Sequence, residues 1–210
     1  MTTFLLIRHA HCDPVGQAIA GRSAGVHLSK QGKAEAATLA SRLSTLAISA
    51  VYSSPLERAL ETAGPIAERQ GLSVATAPGL IEIDFGEWTG KTLAELDRLP
   101  GWQAFNRFRS GARIPGGEGP ADVLSRSLAE LDRLSRAHPD SHDLVAVVSH
   151  GDVLRSLVAH FIGCPLDLLH RFELSPASVS VLQLESYGPR FLQLNWTADG
   201  PDGVLPRLRR

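Results

Sequence analysis

A chain of 210 residues, 43% of them hydrophobic, with a formal net charge of −1 can bury one good core. The near-zero charge argues against a general affinity for nucleic acid or an anionic membrane, and no apolar run is long enough to span a bilayer. Two cysteines, Cys12 and Cys164, are too few for a disulfide framework and suit a reducing cytoplasm.

The N-terminal apolar stretch has no basic flank and is too short for a signal segment. Within it Phe4-Leu5-Leu6-Ile7 lacks a helical period and reads as a strand buried on both faces, delivering Arg8 and His9 at its carboxyl end. A long turn-rich segment follows from Ala10 to His27, of a length that suits a functional loop. Ser29 caps a helix whose apolar residues at Ala36, Leu39, Ala40, Leu43 and Ala47 lie on one face. Ile48–Tyr52 reads as a strand, and Pro55 as the first turn of the next helix. That helix carries Arg58 and Thr62 on one face and stops at Gly71. A third strand spans Ser73–Thr76, before the acid- and aromatic-rich run from Leu80 to Gly90.

Residues 91–119 are expected to form a lid-like insertion, with a short helix at Thr92–Leu99, a break at Gly101-Trp102, and three arginines at Arg107, Arg109 and Arg113. These arginines suit either an anionic substrate or a solvated face. The turn Gly116-Gly117-Glu118-Gly119-Pro120 opens a helix with Leu124, Leu128, Leu131 and Leu134 on one face. Leu144–Val148 is a second buried strand, ending in Ser149-His150-Gly151 and a helix with Val153, Leu154, Leu157, Val158 and Phe161 inward. Val179–Glu185 and Phe191–Trp196 close the chain as an antiparallel pair around Tyr187-Gly188-Pro189. The expected fold is a three-layer α/β/α domain over residues 1–198, its sheet mostly parallel with an antiparallel edge. Residues 199–210, rich in Gly, Pro and Arg, are expected to fray.

The polar residues at these strand ends are Arg8, His9, Arg58, Glu82 and His150. Ligands of open α/β sheets bind outside the carboxyl ends of the strands. Fixed cations around a neutral imidazole suit a phosphoryl acceptor: guanidinium forks match phosphate oxygens, and a free imidazole nitrogen can attack phosphorus. Glu82 is placed to protonate a leaving alkoxide. His11, His27, His138, His142, His160 and His170 read as structural or exposed.

Four ordered motifs carry a resemblance. Leu6-Ile7-Arg8-His9, Tyr52-Ser53-Ser54-Pro55-Leu56-Glu57-Arg58-Ala59-Leu60-Glu61-Thr62-Ala63, Glu82-Ile83-Asp84-Phe85-Gly86-Glu87-Trp88-Thr89-Gly90 and Val148-Ser149-His150-Gly151 resemble those of the histidine phosphatase superfamily, the phosphoglycerate-mutase-like group. The resemblance spans about residues 4 to 185 and falls in its phosphatase branch. It implies a metal- and cofactor-independent phosphomonoester hydrolase with His9 as the phosphorylated nucleophile. Arg8, Arg58 and His150, with Gly151 beside it, would bind the phosphoryl group, and Glu82 would act as general acid and then base. Gly116-Gly117-Glu118 resembles a further motif near the substrate entrance. Two positions depart from the pattern. Ala10-His11-Cys12-Asp13-Pro14-Val15 stands where the family has Gly-Glu or Gly-Gln and then a phosphate-touching asparagine, and Thr89 stands where glutamate is frequent.

Two other readings compete. A phosphoglycerate mutase of the same family would pass the phosphoryl group to a second alcohol. A zinc hydrolase could use His9 and His11, which alternate along the chain and so point to one side. The partner is a small phosphomonoester in the main reading; sugar phosphates, phosphoglycerates, nucleotides and α-ribazole phosphate all stay open, and a homodimer is allowed for.

Overall fold

The computed structural model describes residues 2–13, 18–140 and 143–200. Its strands are β1 (Thr2–Arg8), β2 (Ala50–Ser53), β3 (Val74–Thr76), β4 (Leu144–Ser149), β5 (Val179–Glu185) and β6 (Gly188–Trp196), in the order β3-β2-β4-β1-β5-β6. β1 pairs parallel with β4, β4 with β2, and β2 with β3, whereas β5 and β6 add antiparallel at one edge. The expected mixed sheet is therefore present. The helices are α1 (Lys30–Leu43), α2 (Glu57–Gln70), α3 (Leu93–Leu96), α4 (Pro100–Arg107), α5 (Pro120–Ala137) and α6 (Gly151–Ile162).

Alternation along the buried strands divides the core. Leu5, Ile7, Ala146 and Val148 face α1 and α2 through Leu39, Leu43, Ala59 and Ile66. Phe4, Leu6, Val145 and Val147 face the other way, onto Leu131, Leu134, Leu154 and Leu157 of α5 and α6. Burial on both faces is why these strands read as unbroken apolar runs. A third cluster of Ile83, Phe85, Trp88, Leu96, Phe105 and Val153 sits beneath α3 and α4.

Several boundaries differ from the sequence reading. α1 ends at Leu43, and Ala47 is exposed beyond it. The β2 ladder begins at Ala50 rather than Ile48. Pro55 precedes α2, whose N-cap is Leu56, while Pro65 lies inside that helix. α4 was not foreseen because Gly101-Trp102 reads as a break. Pro100 occupies its first turn, where a proline costs no hydrogen bond, and Trp102 stacks on Phe105 across it. Pro14, Val15, His142 and tail residues 201–210 lie outside the described residues. No described helix is long and apolar enough to cross a membrane.

Candidate active site

The register of the two central strands builds the site. Arg8 of β1 stands opposite Ser149 of β4, so His9 and His150 leave the sheet side by side, with ring centroids 5.2 Å apart. The His9 backbone N–H donates to Ser149 O at 2.9 Å, and the next N–H, of Ala10, donates to Thr62 Oγ1 at 3.0 Å. His9 is thus fixed to both β4 and α2.

The imidazole of His9 is buried, and its Nδ1 lies 2.8 Å from the carbonyl oxygen of Ala10. A carbonyl only accepts, so Nδ1 carries the proton and Nε2 of the neutral ring keeps its lone pair. Burial first, then the Arg58 charge, lowers the His9 pKa to about 3. The ring is therefore a neutral imidazole throughout the physiological range.

Arg58, in the first turn of α2, is among the largest fully buried side chains. Its Nη2 donates to Gly21 O at 2.7 Å, and Nη1 is buried with no partner among the described residues. Arg8 repeats the pattern: Nη1 donates to Leu174 O at 2.6 Å and Nε has no partner among the described residues. His150, the N-cap of α6, faces Ser54 Oγ with its Nε2 at 2.7 Å, and its Nδ1 is likewise unpaired. Burial, followed by the nearby His9 and Arg58, holds the His150 pKa well below the usual imidazole value. Buried donors without partners are costly, so three of them around one imidazole point to an anion.

Glu82, also buried, is held through its backbone. Its carbonyl oxygen accepts from Arg22 Nε at 2.8 Å and Arg126 Nη2 at 3.2 Å. Both arginines are held by Glu118, through contacts of 2.8 Å and 3.0 Å. Glu118 also accepts from the Asp84 N–H at 3.1 Å. This accounts for Gly116-Gly117-Glu118: a Cβ on Gly117 would lie 2.3 Å from Asp84 O, so only glycine lets the two loops meet. Burial, reinforced by Asp152, raises the Glu82 pKa to about 7.

Arg8, His9, Arg58, Glu82 and Gly151 line one cleft of about 150 Å³. His150 is not among the lining residues; it sits fully buried at the side of His9, the two rings in contact. The 10–27 loop contributes Ala18–Gly21 to the wall. His9 and His11 do not turn to a common point: the His11 Nδ1 meets Ser29 Oγ at 3.0 Å, at the head of α1. Among the described residues no group of three or more His, Cys, Asp and Glu side chains is placed to hold a metal. The three arginines of residues 91–119 divide: Arg107 and Arg113 are exposed, while Arg109 is buried against Asp152. Sequence reasoning missed Asp152 and Arg155, both on the cleft wall. Their positions, one and four residues beyond Gly151 on the same helix face, were the available signal for Arg155 above all.

The comparisons agree with this geometry. The histidine phosphatase superfamily (branch 1) matches residues 4–197. Phosphoserine phosphatase 1 of Hydrogenobacter thermophilus is 34% identical over 206 residues, covering 94% of this chain and 93% of that protein. The structure of a mycobacterial glucosyl-3-phosphoglycerate phosphatase superposes with a TM-score of 0.83 at 27% identity, covering 92% of this chain and 98% of that one. Phosphoserine phosphatase of Entamoeba histolytica, solved with 3-phosphoglyceric acid, gives 0.82 at 26% identity, covering 94% and 98%. These relatives bear phosphatase names, in keeping with the hydrolase reading rather than the mutase. The chain belongs to the histidine phosphatase superfamily, branch 1, and is a phosphomonoester hydrolase of that family.

Proposed function

We propose that hydrolysis proceeds through a phosphohistidine on His9. The observation that carries this is the 2.8 Å contact between His9 Nδ1 and Ala10 O, which leaves Nε2 as the free nitrogen in an arginine-lined cleft. Nε2 attacks phosphorus and the P–O ester bond breaks, while Glu82 gives its proton to the departing oxygen. Water then attacks the phosphohistidine, the Glu82 carboxylate takes the water's proton, the N–P bond breaks and inorganic phosphate leaves. Arg8 Nε, Arg58 Nη1 and His150 Nδ1, unpaired among the described residues, are the donors for the phosphoryl oxygens, where charge grows in the transition state. The Ser54 hydroxyl, 2.7 Å from His150 Nε2, can donate to that nitrogen, and in this arrangement the His150 proton sits on Nδ1.

The small cleft and the −1 net charge support a small phosphate ester, not nucleic acid, as partner. The names of the relatives, which act on phosphoserine and glucosyl-3-phosphoglycerate, support an ester of a hydroxy acid. The unpaired thiols of Cys12 and Cys164 support a reducing, cytoplasmic setting. The third hydrophobic cluster supports residues 91–119 as a cap packed onto a single domain.

Rapid quench with labelled substrate tests the mechanism. The wild type should yield acid-labile, base-stable phosphate, and His9→Ala should yield none and lose turnover. Label trapped on another residue would overturn the assignment.

A further inference from the structure

Arg155 lies one helical turn beyond Gly151 on α6 and lines the cleft wall. It is not needed to hold the phosphoryl group in the scheme above. Its side chain is 14% exposed, and its Nε is buried with no partner among the described residues. A Cβ built on Gly151 would lie 3.4 Å from Arg8 Cζ and 3.5 Å from Arg155 Nη1. Two guanidinium groups therefore flank one glycine.

Like charges so close in a partly desolvated cleft call for an anion each. The chain supplies one itself. Glu173 Oε1 accepts from Arg155 Nη2 at 2.6 Å and stands 3.7 Å from Arg8 Nη1. This acid is unlike the others around the site, because its side chain is 64% exposed. Its other direct hydrogen bond among the described residues is from the Leu174 backbone N–H, at 3.1 Å, and with most of its side chain in water Glu173 can give up Arg155 to a competing carboxylate. A solvent-side carboxylate resting on a cleft arginine marks where a carboxylate arriving from solvent would bind.

We propose that Arg155 recognises a carboxylate carried on the alcohol part of the substrate, and that Glu173 is the internal competitor this carboxylate displaces. The proposal rests on the phosphatase reading and assigns to Arg155 the recognition of the hydroxy-acid carboxylate. Phosphoryl and carboxylate groups would then bind on the two sides of Gly151, with Arg8 between them. The planar fork of Arg155 offers a carboxylate two parallel hydrogen bonds.

Phosphoserine and phosphoethanolamine differ only by the carboxylate and make a matched pair. The wild type should favour phosphoserine in kcat/KM by about 10- to 100-fold, the size of a good charge-assisted contact. Arg155→Gln should collapse that preference, chiefly by raising the KM for phosphoserine, and Arg155→Lys should restore part of it. Glu173→Gln should lower the KM for phosphoserine several-fold and widen the preference. A wild-type ratio near one would overturn the proposal. So would an unchanged ratio in Arg155→Gln, whether both substrates fall together or neither does. If Arg155→Gln does not fold, an unchanged phosphoserine KM in Glu173→Gln is the overturning result. Failure of the phosphohistidine reading would look different: no label on His9 in the wild type, whatever the substrate preference.

Discussion

Arg109 Nη1 donates to Asp152 Oδ1 at 3.0 Å, tying residues 91–119 to the first turn of α6. Arg109 is buried: its Cζ lies 4.5 Å from the Phe105 ring centroid, and its Nη2 reaches Asn106 Oδ1 at 3.1 Å and His170 Nε2 at 2.8 Å. The pair places Asp152 on the cleft wall, where its charge helps to raise the proton affinity of Glu82. Asp152→Asn should lower that affinity. The alkaline limb of kcat/KM on an alkyl phosphate should then move to lower pH, and the rate at neutral pH should fall. A pH–rate profile checks this; an unmoved limb would show that Asp152 does not tune Glu82.

Arg58→Ala should reduce kcat by about 10²–10³, the usual effect of losing one preorganised donor. Arg58→Lys should be nearly as damaging. One guanidinium here serves two directions, Nη2 to Gly21 O and Nη1 buried at the cleft, and an ammonium has no such fork. Steady-state turnover of p-nitrophenyl phosphate is the measurement, and a near wild-type kcat in Arg58→Lys would remove Arg58 from phosphoryl binding.

The buried parallel strands and their terminal residues were legible in the sequence, because burial on both faces leaves an uninterrupted apolar run. Arg8, His9, Arg58 and Glu82 do meet at one cleft. The placing of β4 beside β1, which brings His150 to His9, was not read from the sequence and comes from the sheet order. What stayed hidden were contacts set by tertiary packing. Arg109 reads as one of three equivalent arginines until Phe105 and Asp152 are seen around it. Asp152 and Arg155 read as ordinary polar positions of an amphipathic helix, since helical period reports a face but not what that face meets. Arg22 and Glu118, far apart in sequence, support Glu82 only once two loops are brought together at Gly117.

The first turn of α1 presses on the segment that carries His9. A Cβ on Gly32 would lie 1.9 Å from His11 O, the same carbonyl that accepts the Ser29 N–H at 3.0 Å. Gly32→Ala must therefore shift backbone. It should destabilise the fold by about 1–3 kcal/mol, as overpacking does, and lower Tm by several degrees for a chain of this size. A melt indistinguishable from wild type would show that the contact is not tight.

Glu82 has to be an acid in one half-reaction and a base in the other, and its pKa of about 7 permits both near neutrality. The sign of the pH dependence follows from the first half. Below about 7 the free enzyme holds the proton that an alkyl leaving group requires; above it the carboxylate cannot supply one, so kcat/KM for alkyl phosphates should decline with rising pH. p-Nitrophenolate leaves without a proton, so its phosphorylation step should lack that limb. Glu82→Gln keeps the shape and loses both functions. On alkyl phosphates it should lose about 10²–10⁴ in rate, the usual worth of a positioned acid. With p-nitrophenyl phosphate the first turnover should survive while the second half-reaction, deprived of its base, stalls. Stopped-flow should then show a burst of p-nitrophenol equal to the enzyme concentration, followed by slow release, with phosphate held on His9. Equal first-turnover losses on both substrates, without a burst, would remove Glu82 from the acid–base role and leave it only the task of shaping the cleft.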